Sequence, residues 1–253
     1  GANSGLGFEA SKMFSKNNAE VVMACRSIER GKDAKDEIEG EIEDADLEVK
    51  KLDLADLESI KDFAEEFKAN HEELDILCNN AGIMAIPREK TEDGFEKQFG
   101  VNHLGHFFLT SHLFPALKEA GKARIVNQSS ALHKKGEIDF EDIMHEESYS
   151  PQQAYSDSKL ANLLFTYELD RKIKRESLEI KSIACHPGYA ATNLQKRGPE
   201  KSGNSIKKYA MKFMNRVLAQ SAEKGALPMM YSAVEEKAEG GDYIGPDKLM
   251  NMR

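Results

Sequence analysis

The sequence predicts one α/β domain built on a parallel sheet with helices on both faces, and three observations carry that expectation. Short apolar runs alternate with amphipathic stretches along the chain, the pattern of strands joined by right-handed helical crossovers. The apolar runs are hydrophobic throughout rather than at every second residue, as in strands covered on both sides. The 253 residues, 40% hydrophobic and 31% charged, suit a single domain with a real core better than two small domains or a disordered chain.

The strand-like runs fall at 20–25, 47–52, 74–78, 123–127 and 178–185, with a last short one at 242–244. Helical patterns fall at 28–40, from about 55 onward, at 91–120 with a break near Asn102, and at 151–174, 206–220 and 223–234. Residues 132–150 and 190–205 are the least regular, and no internal repeat or linker is visible. The whole of 1–253 therefore reads as one domain. In a doubly wound topology the first strand is central and leads into the glycine-rich loop. That loop begins at Gly1, so the first strand is expected to precede the sequence, which reads as a segment trimmed at both ends. A molecule starting at Gly1 is expected to lose central pairing and a large part of its stability.

A formal net charge of −9 removes bulk electrostatic attraction to nucleic acid. The three cysteines, Cys25, Cys78 and Cys185, each end an apolar run. Their number is odd and their spacing fits no metal knuckle, so they read as core residues in a reducing, cytoplasmic compartment. No apolar run approaches the ~20 residues of a membrane span. His103, His106 and His112 have no nearby acid or cysteine to complete a metal set.

The chemistry lies at the carboxyl ends of the strand-like runs, where open α/β sheets bind ligands. Gly1, Gly5 and Gly7, with Asn3, Ser4 and Leu6 between them, form a G-x-x-x-G-x-G loop opening a helix. Such glycines admit a pyrophosphate close to the backbone, and the helix start offers free N–H groups. After the run at 20–25, an acid would accept the ribose 2′-OH of NAD. Cys25 stands there instead, followed by Arg26 and Ser27. A guanidinium at that place pairs a 2′-phosphate in a fork, so NADP(H) is expected over NAD(H). Asn79-Asn80-Ala81-Gly82 and Asn127-Gln128-Ser129-Ser130 follow two further strands, and His186-Pro187-Gly188, with Thr192 beyond, follows another. Tyr155 and Lys159 are spaced i, i+4 and share one helix face. A phenol with a pKa of about 10 beside an ammonium is drawn toward its phenolate, which suits it to acid/base work on an alcohol/carbonyl pair.

Together GANSGLG, NNAG, VNHLGHF, NQSS, YSDSK and HPG resemble the short-chain dehydrogenase/reductase family, in order and over nearly the whole chain. Arg26, the VNHLGHF run and the YSDSKLANLLF helix resemble its retinol-dehydrogenase-like branch most. The resemblance implies a Rossmann-like fold and a carbonyl reductase or alcohol dehydrogenase. It implies that Tyr155 is the acid/base, that Lys159 lowers its pKa and holds the nicotinamide ribose, and that Ser130, rather than the competing Ser129, binds the substrate oxygen. It implies a water held by Asn102 in a relay to Lys159. It places Asn80, Ala81 and Gly82 along the cofactor, Asp53 and Leu54 at the adenine, and Pro187, Gly188 and Thr192 at the nicotinamide amide. It also implies pairing of two copies through the helices that include Tyr155. The 130–155 stretch is longer than in many members and carries Glu137, Asp139, Glu141, Asp142, Glu146 and Glu147, which read as a solvated acidic insertion.

Two other functions fit part of the pattern. One is reduction of a carbon–carbon double bond, as in the similar protochlorophyllide reductases. The other is a regulatory NADP-binding protein without turnover, against which the complete Ser130, Tyr155 and Lys159 set speaks. Residues 206–220 are apolar at helical spacing on one side, with Lys207, Lys208, Lys212 and Arg216 on the other. The resemblance implies that this is a lid helix over a lipophilic substrate, part of a substrate-lid region at 190–220 within the single nucleotide-binding domain of 1–253, with transient docking on an anionic membrane surface as the alternative.

Overall fold

The computed structural model describes residues 1–188 and 221–246. The glycine-rich loop opens α1 (Gly5–Ser15), followed by β1 (Val21–Cys25), α2 (Ile28–Glu39), β2 (Leu47–Lys51), α3 (Leu57–Asn70) and β3 (Ile76–Asn79). A short α4 (Lys97–Phe99) then runs through a π-helical turn (Gly100–Leu104) into α5 (Gly105–Glu119). The remaining described elements are β4 (Ala123–Gln128), a 3-10 turn (Ala131–Lys135), α6 (Pro151–Arg175), β5 (Ile180–Cys185), α7 (Ala222–Val234) and β6 (Tyr243–Ile244). The lid region, its basic helix and Thr192 lie outside the described residues.

All ladders between these strands are parallel. They form two sheets, β1 with β2 and β3-β4-β5-β6. Gly1 sits between them. Its amino group donates to the Ala24 carbonyl of β1 at 2.9 Å, and its carbonyl accepts from Asn80, just past β3, at 3.3 Å.

Apolar strand residues face helices on both sides, as the non-alternating runs predict. Ile125 of β4 packs with Ile60 and Phe63 of α3, Leu113 and Leu117 of α5, and Ile173 of α6. Its neighbour Val126 points the other way, to Ala10 of α1 and Met229 and Ala233 of α7. Met23 and Cys25 of β1 pack with Ala34 and Ile38 of α2 in a third cluster. No helix among the described residues is long and apolar enough to cross a membrane.

Three expectations need correction. The helix expected from Thr91 begins only at Lys97. Thr91 exchanges hydrogen bonds with Phe95 through its backbone and its hydroxyl, closing a turn with Gly94 at φ +88°. Buried Glu96 then caps α4, accepting from the N–H groups of Gln98 and Phe99. Local side-chain bonds here outcompete the helical pattern. The break expected near Asn102 is instead a π turn that keeps the helix continuous. The acidic insertion is also more than a solvated loop. Most of its carboxylates are exposed, but its backbone is pinned to the domain. Glu137 N–H donates to Asp157 at 2.7 Å, Arg88 donates to the His145 carbonyl at 2.9 Å, and His145 meets Asp157 at 3.1 Å. Asp142 turns inward and accepts from the N–H groups of Glu146 and Glu147.

Candidate active site

The loop at Gly1 to Gly7 opens α1 and leaves its first turn without a side-chain cap. Ser4, the residue before α1, makes no side-chain cap, whereas Ser27, Asp56, Ser150 and Ser221 each cap their own helices. The first-turn N–H groups and positive dipole end of α1 are left facing the loop. Gly5 has φ +58°, a left-handed conformation suited to glycine. At Gly7 an added Cβ would collide with the Gly1 carbonyl and stand 2.6 Å from the Asn80 amide nitrogen. Gly7→Ala is therefore expected to cost about 1–3 kcal/mol of stability, and a chemical-denaturation midpoint equal to wild type would contradict this packing.

Cys25 closes the far side of the loop. Its thiol is buried, and burial pushes its pKa up against the opposing influence of the nearby N–H groups of Ala2 and Asn3. Arg26 is exposed beside it, while Ser27 is occupied in capping α2, accepting from Arg30 N–H at 3.3 Å. Asp53 follows β2 and accepts from Ala55 N–H at 3.0 Å, and Leu54 is buried in the core. Pro187 and Gly188 follow β5, with Gly188 N–H donating to His186 at 3.2 Å.

The structure separates the two serines. Ser129 is buried, and its hydroxyl donates to the Lys159 carbonyl at 2.8 Å. Ser130 is less buried, its hydroxyl accepts from Leu132 N–H at 3.2 Å, and it lies near enough to the Tyr155 phenol to oppose the upward push of burial on its pKa. Lys159 lies one helical turn after Tyr155, with its ammonium 5.7 Å from the centre of the phenol ring. It donates to the Gln128 carbonyl at 2.9 Å and has no carboxylate partner among the described residues. Burial lowers its pKa to about 8. Burial likewise pushes Tyr155 up to about 12, against the opposing hydrogen bond from Ser130. The expectation that the ammonium draws Tyr155 toward neutrality is thus corrected for the protein's own groups. Desolvation of the phenolate is the larger effect, because both residues are packed inside.

Asn102 is a clamp in this structure. Its side chain accepts from Ile83 N–H at 2.8 Å and donates to the Ile83 carbonyl and to Ser158, both at 2.9 Å. Its own carbonyl takes donors from His106 and Asn162, which fills both lone pairs. Asn102 thereby ties the Asn80-Ala81-Gly82 loop to α6. His103 and His106 are packing residues of this region: His103 meets Asn162 at 3.1 Å, and burial lowers the His106 pKa to about 3.

Sequence reasoning missed three participants. Asn162 donates to the Gln128 carbonyl at 3.2 Å alongside Lys159, and its i+3 spacing from Lys159 was the available signal. Tyr243 and His133 left none. The Tyr243 hydroxyl lies 3.3 Å from His133 Nδ1, which lies 2.7 Å from the Ser130 carbonyl. Both contacts are satisfied if His133 Nδ1–H is shared between the Ser130 carbonyl and the Tyr243 hydroxyl. β6 is thus linked through His133 to the Ser130 backbone.

A glycine-lined anion cradle at a helix start and a serine–tyrosine–lysine group at the ends of parallel strands are the parts of a nicotinamide-dependent oxidoreductase. Comparison with known proteins agrees: the short chain dehydrogenase family model matches residues 1–203, and the chain belongs to that family. Among its relatives is retinol dehydrogenase 12 of Mus musculus, 39% identical over 99% of this chain and 77% of the relative. Retinol dehydrogenase 13 of Homo sapiens is 40% identical over 94% of this chain and 71% of the relative. Among solved structures, an uncharacterized protein from Mycobacterium paratuberculosis superimposes with a TM-score of 0.78 at 38% identity, covering 97% of this chain and 78% of that one.

Proposed function

We propose that the protein is an NADP(H)-dependent oxidoreductase acting on the carbonyl or alcohol group of a lipophilic small molecule. The observation that carries this reading is the buried Lys159 ammonium, unpaired by any described carboxylate and 5.7 Å from the centre of the Tyr155 ring. A buried, unpaired cation is costly, and such groups mark working sites. The cofactor, when bound, supplies or accepts the hydride.

The protein's own residues do the rest. Ser130 donates to the substrate oxygen and fixes its position. Tyr155 gives that oxygen a proton during reduction and takes it back during oxidation. Lys159 favours negative charge on the phenol oxygen and is placed to hold the ribose hydroxyls. The uncapped start of α1 receives the pyrophosphate, Asn80, Ala81 and Gly82 flank the cofactor, and Asp53 and Leu54 border the adenine. Pro187, Gly188 and Thr192 hold the nicotinamide amide. Burial keeps the proton on Tyr155 in the neutral range, so the phenol is available as the acid of carbonyl reduction. The relatives named as retinol dehydrogenases put retinoid-sized lipophilic aldehydes and alcohols first in a substrate panel. Exposed Phe107 on α5 and Leu164 and Tyr167 on α6 support the pairing of two copies through these helices.

Preference for NADP(H) rests on Arg26, which is exposed at the end of β1 where an acid would favour NAD. The test is fluorescence titration of NADPH and NADH against wild type and Arg26→Ala. NADPH is expected to bind at least about tenfold tighter to wild type, and Arg26→Ala to erase most of that preference. Equal binding of the two cofactors by wild type would contradict the assignment.

A further inference from the structure

We propose that Lys51 is a second cation for the 2′-phosphate, and so a determinant of cofactor choice that acts together with Arg26. The inference rests on the NADP(H) reading above. Parallel register pairs Lys51 with Cys25, so the last residues of β2 and β1 stand side by side at their carboxyl ends. The Lys51 ammonium donates to the Arg26 carbonyl at 2.6 Å. That bond holds it within one residue of the start of the guanidinium side chain. An ammonium has three protons, and this strap uses one, leaving two for another acceptor.

The charge balance points the same way. The sequence carries 44 acidic side chains against 35 lysines and arginines, so cations without an acidic partner are not the default. Lys50, next door and buried, takes both Glu48 and Glu66 as partners. Exposed Lys51 and Arg26 are in no ion pair among the described residues. Arg30, in the first turn of α2, adds a third positive charge near Cys25, where it opposes the upward push of burial on the thiol. A phosphate monoester carries about −1.5 to −2 charge at neutral pH, more than one guanidinium neutralises. Arg26 offers a planar fork and Lys51 a compact point charge, and the two are complementary.

The test is the affinity of NADPH and of NADH for wild type, Lys51→Met, Lys51→Arg and Arg26→Ala, by fluorescence titration at fixed salt. Lys51→Met is expected to weaken NADPH about fivefold to tenfold and to leave NADH within about twofold, with Lys51→Arg close to wild type. If Lys51→Met weakens both cofactors alike, or neither, Lys51 is only a strap on the Arg26 backbone and the inference is overturned. If wild type itself shows no preference for NADPH, the reading of Arg26 fails and this one with it. That failure is visible in wild type before any variant is compared.

Discussion

Lys159→Met is expected to abolish turnover and, at neutral pH, to make the protein more stable. Lys159 is 2% exposed, and its one hydrogen bond goes to the Gln128 carbonyl. Burial holds its pKa at about 8 rather than 10.5, a difference worth on the order of 3 kcal/mol. The folded state therefore binds this proton less tightly than the unfolded state. Below pH about 8 the penalty of the buried ammonium is fully present, and it fades as pH rises toward the ordinary lysine value. Methionine fills the same space without charge, and Asn162 still donates to the Gln128 carbonyl. After some loss in packing and hydrogen bonding, a gain of about 2 kcal/mol, or roughly 4–8 °C in melting temperature, is expected. The gain should shrink in melts at higher pH. A lower melting temperature for the variant at neutral pH would show that the ammonium is stabilised by something this account omits.

Tyr155→Phe is expected to cut turnover by about a hundredfold to ten-thousandfold, the usual contribution of a positioned acid, and to leave NADPH affinity within about twofold. The phenol is 5% exposed, with its pKa pushed up to about 12 by burial, so it remains an acid throughout the neutral range. The charge on Lys159 is lost as pH rises through about 8. The rate of carbonyl reduction should accordingly be level below that value and fall above it. A rate that instead rises through the same window would mean that a base, not an acid, limits reduction.

The order of strands and helices was legible because each strand is short, apolar and bounded by polar turns, as β1 and β5 illustrate. The site was legible where chemistry is local: the glycine spacing at Gly1, Gly5 and Gly7, and the i, i+4 pair of Tyr155 and Lys159. It was not legible where distant segments meet. Tyr243 reaches His133 across 110 positions, and no period in the sequence joins them. The start of α4 was missed because Thr91 and Glu96 spend their side chains on nearby backbone, which apolar periodicity does not register. The Tyr155 expectation failed for a related reason. Spacing brings the ammonium near, but only packing tells how much water both groups have lost.

The account turns on proton transfer by Tyr155 to a substrate oxygen held by Ser130. Its most direct test is the consumption of NADPH with a panel of lipophilic aldehydes and ketones, retinoid aldehydes included, by wild type and Tyr155→Phe. The account predicts substrate-dependent consumption by wild type and near-complete loss in the variant, with NADPH still bound. Equal rates for the two proteins, or NADPH bound by wild type but consumed with no carbonyl in the panel, would contradict it.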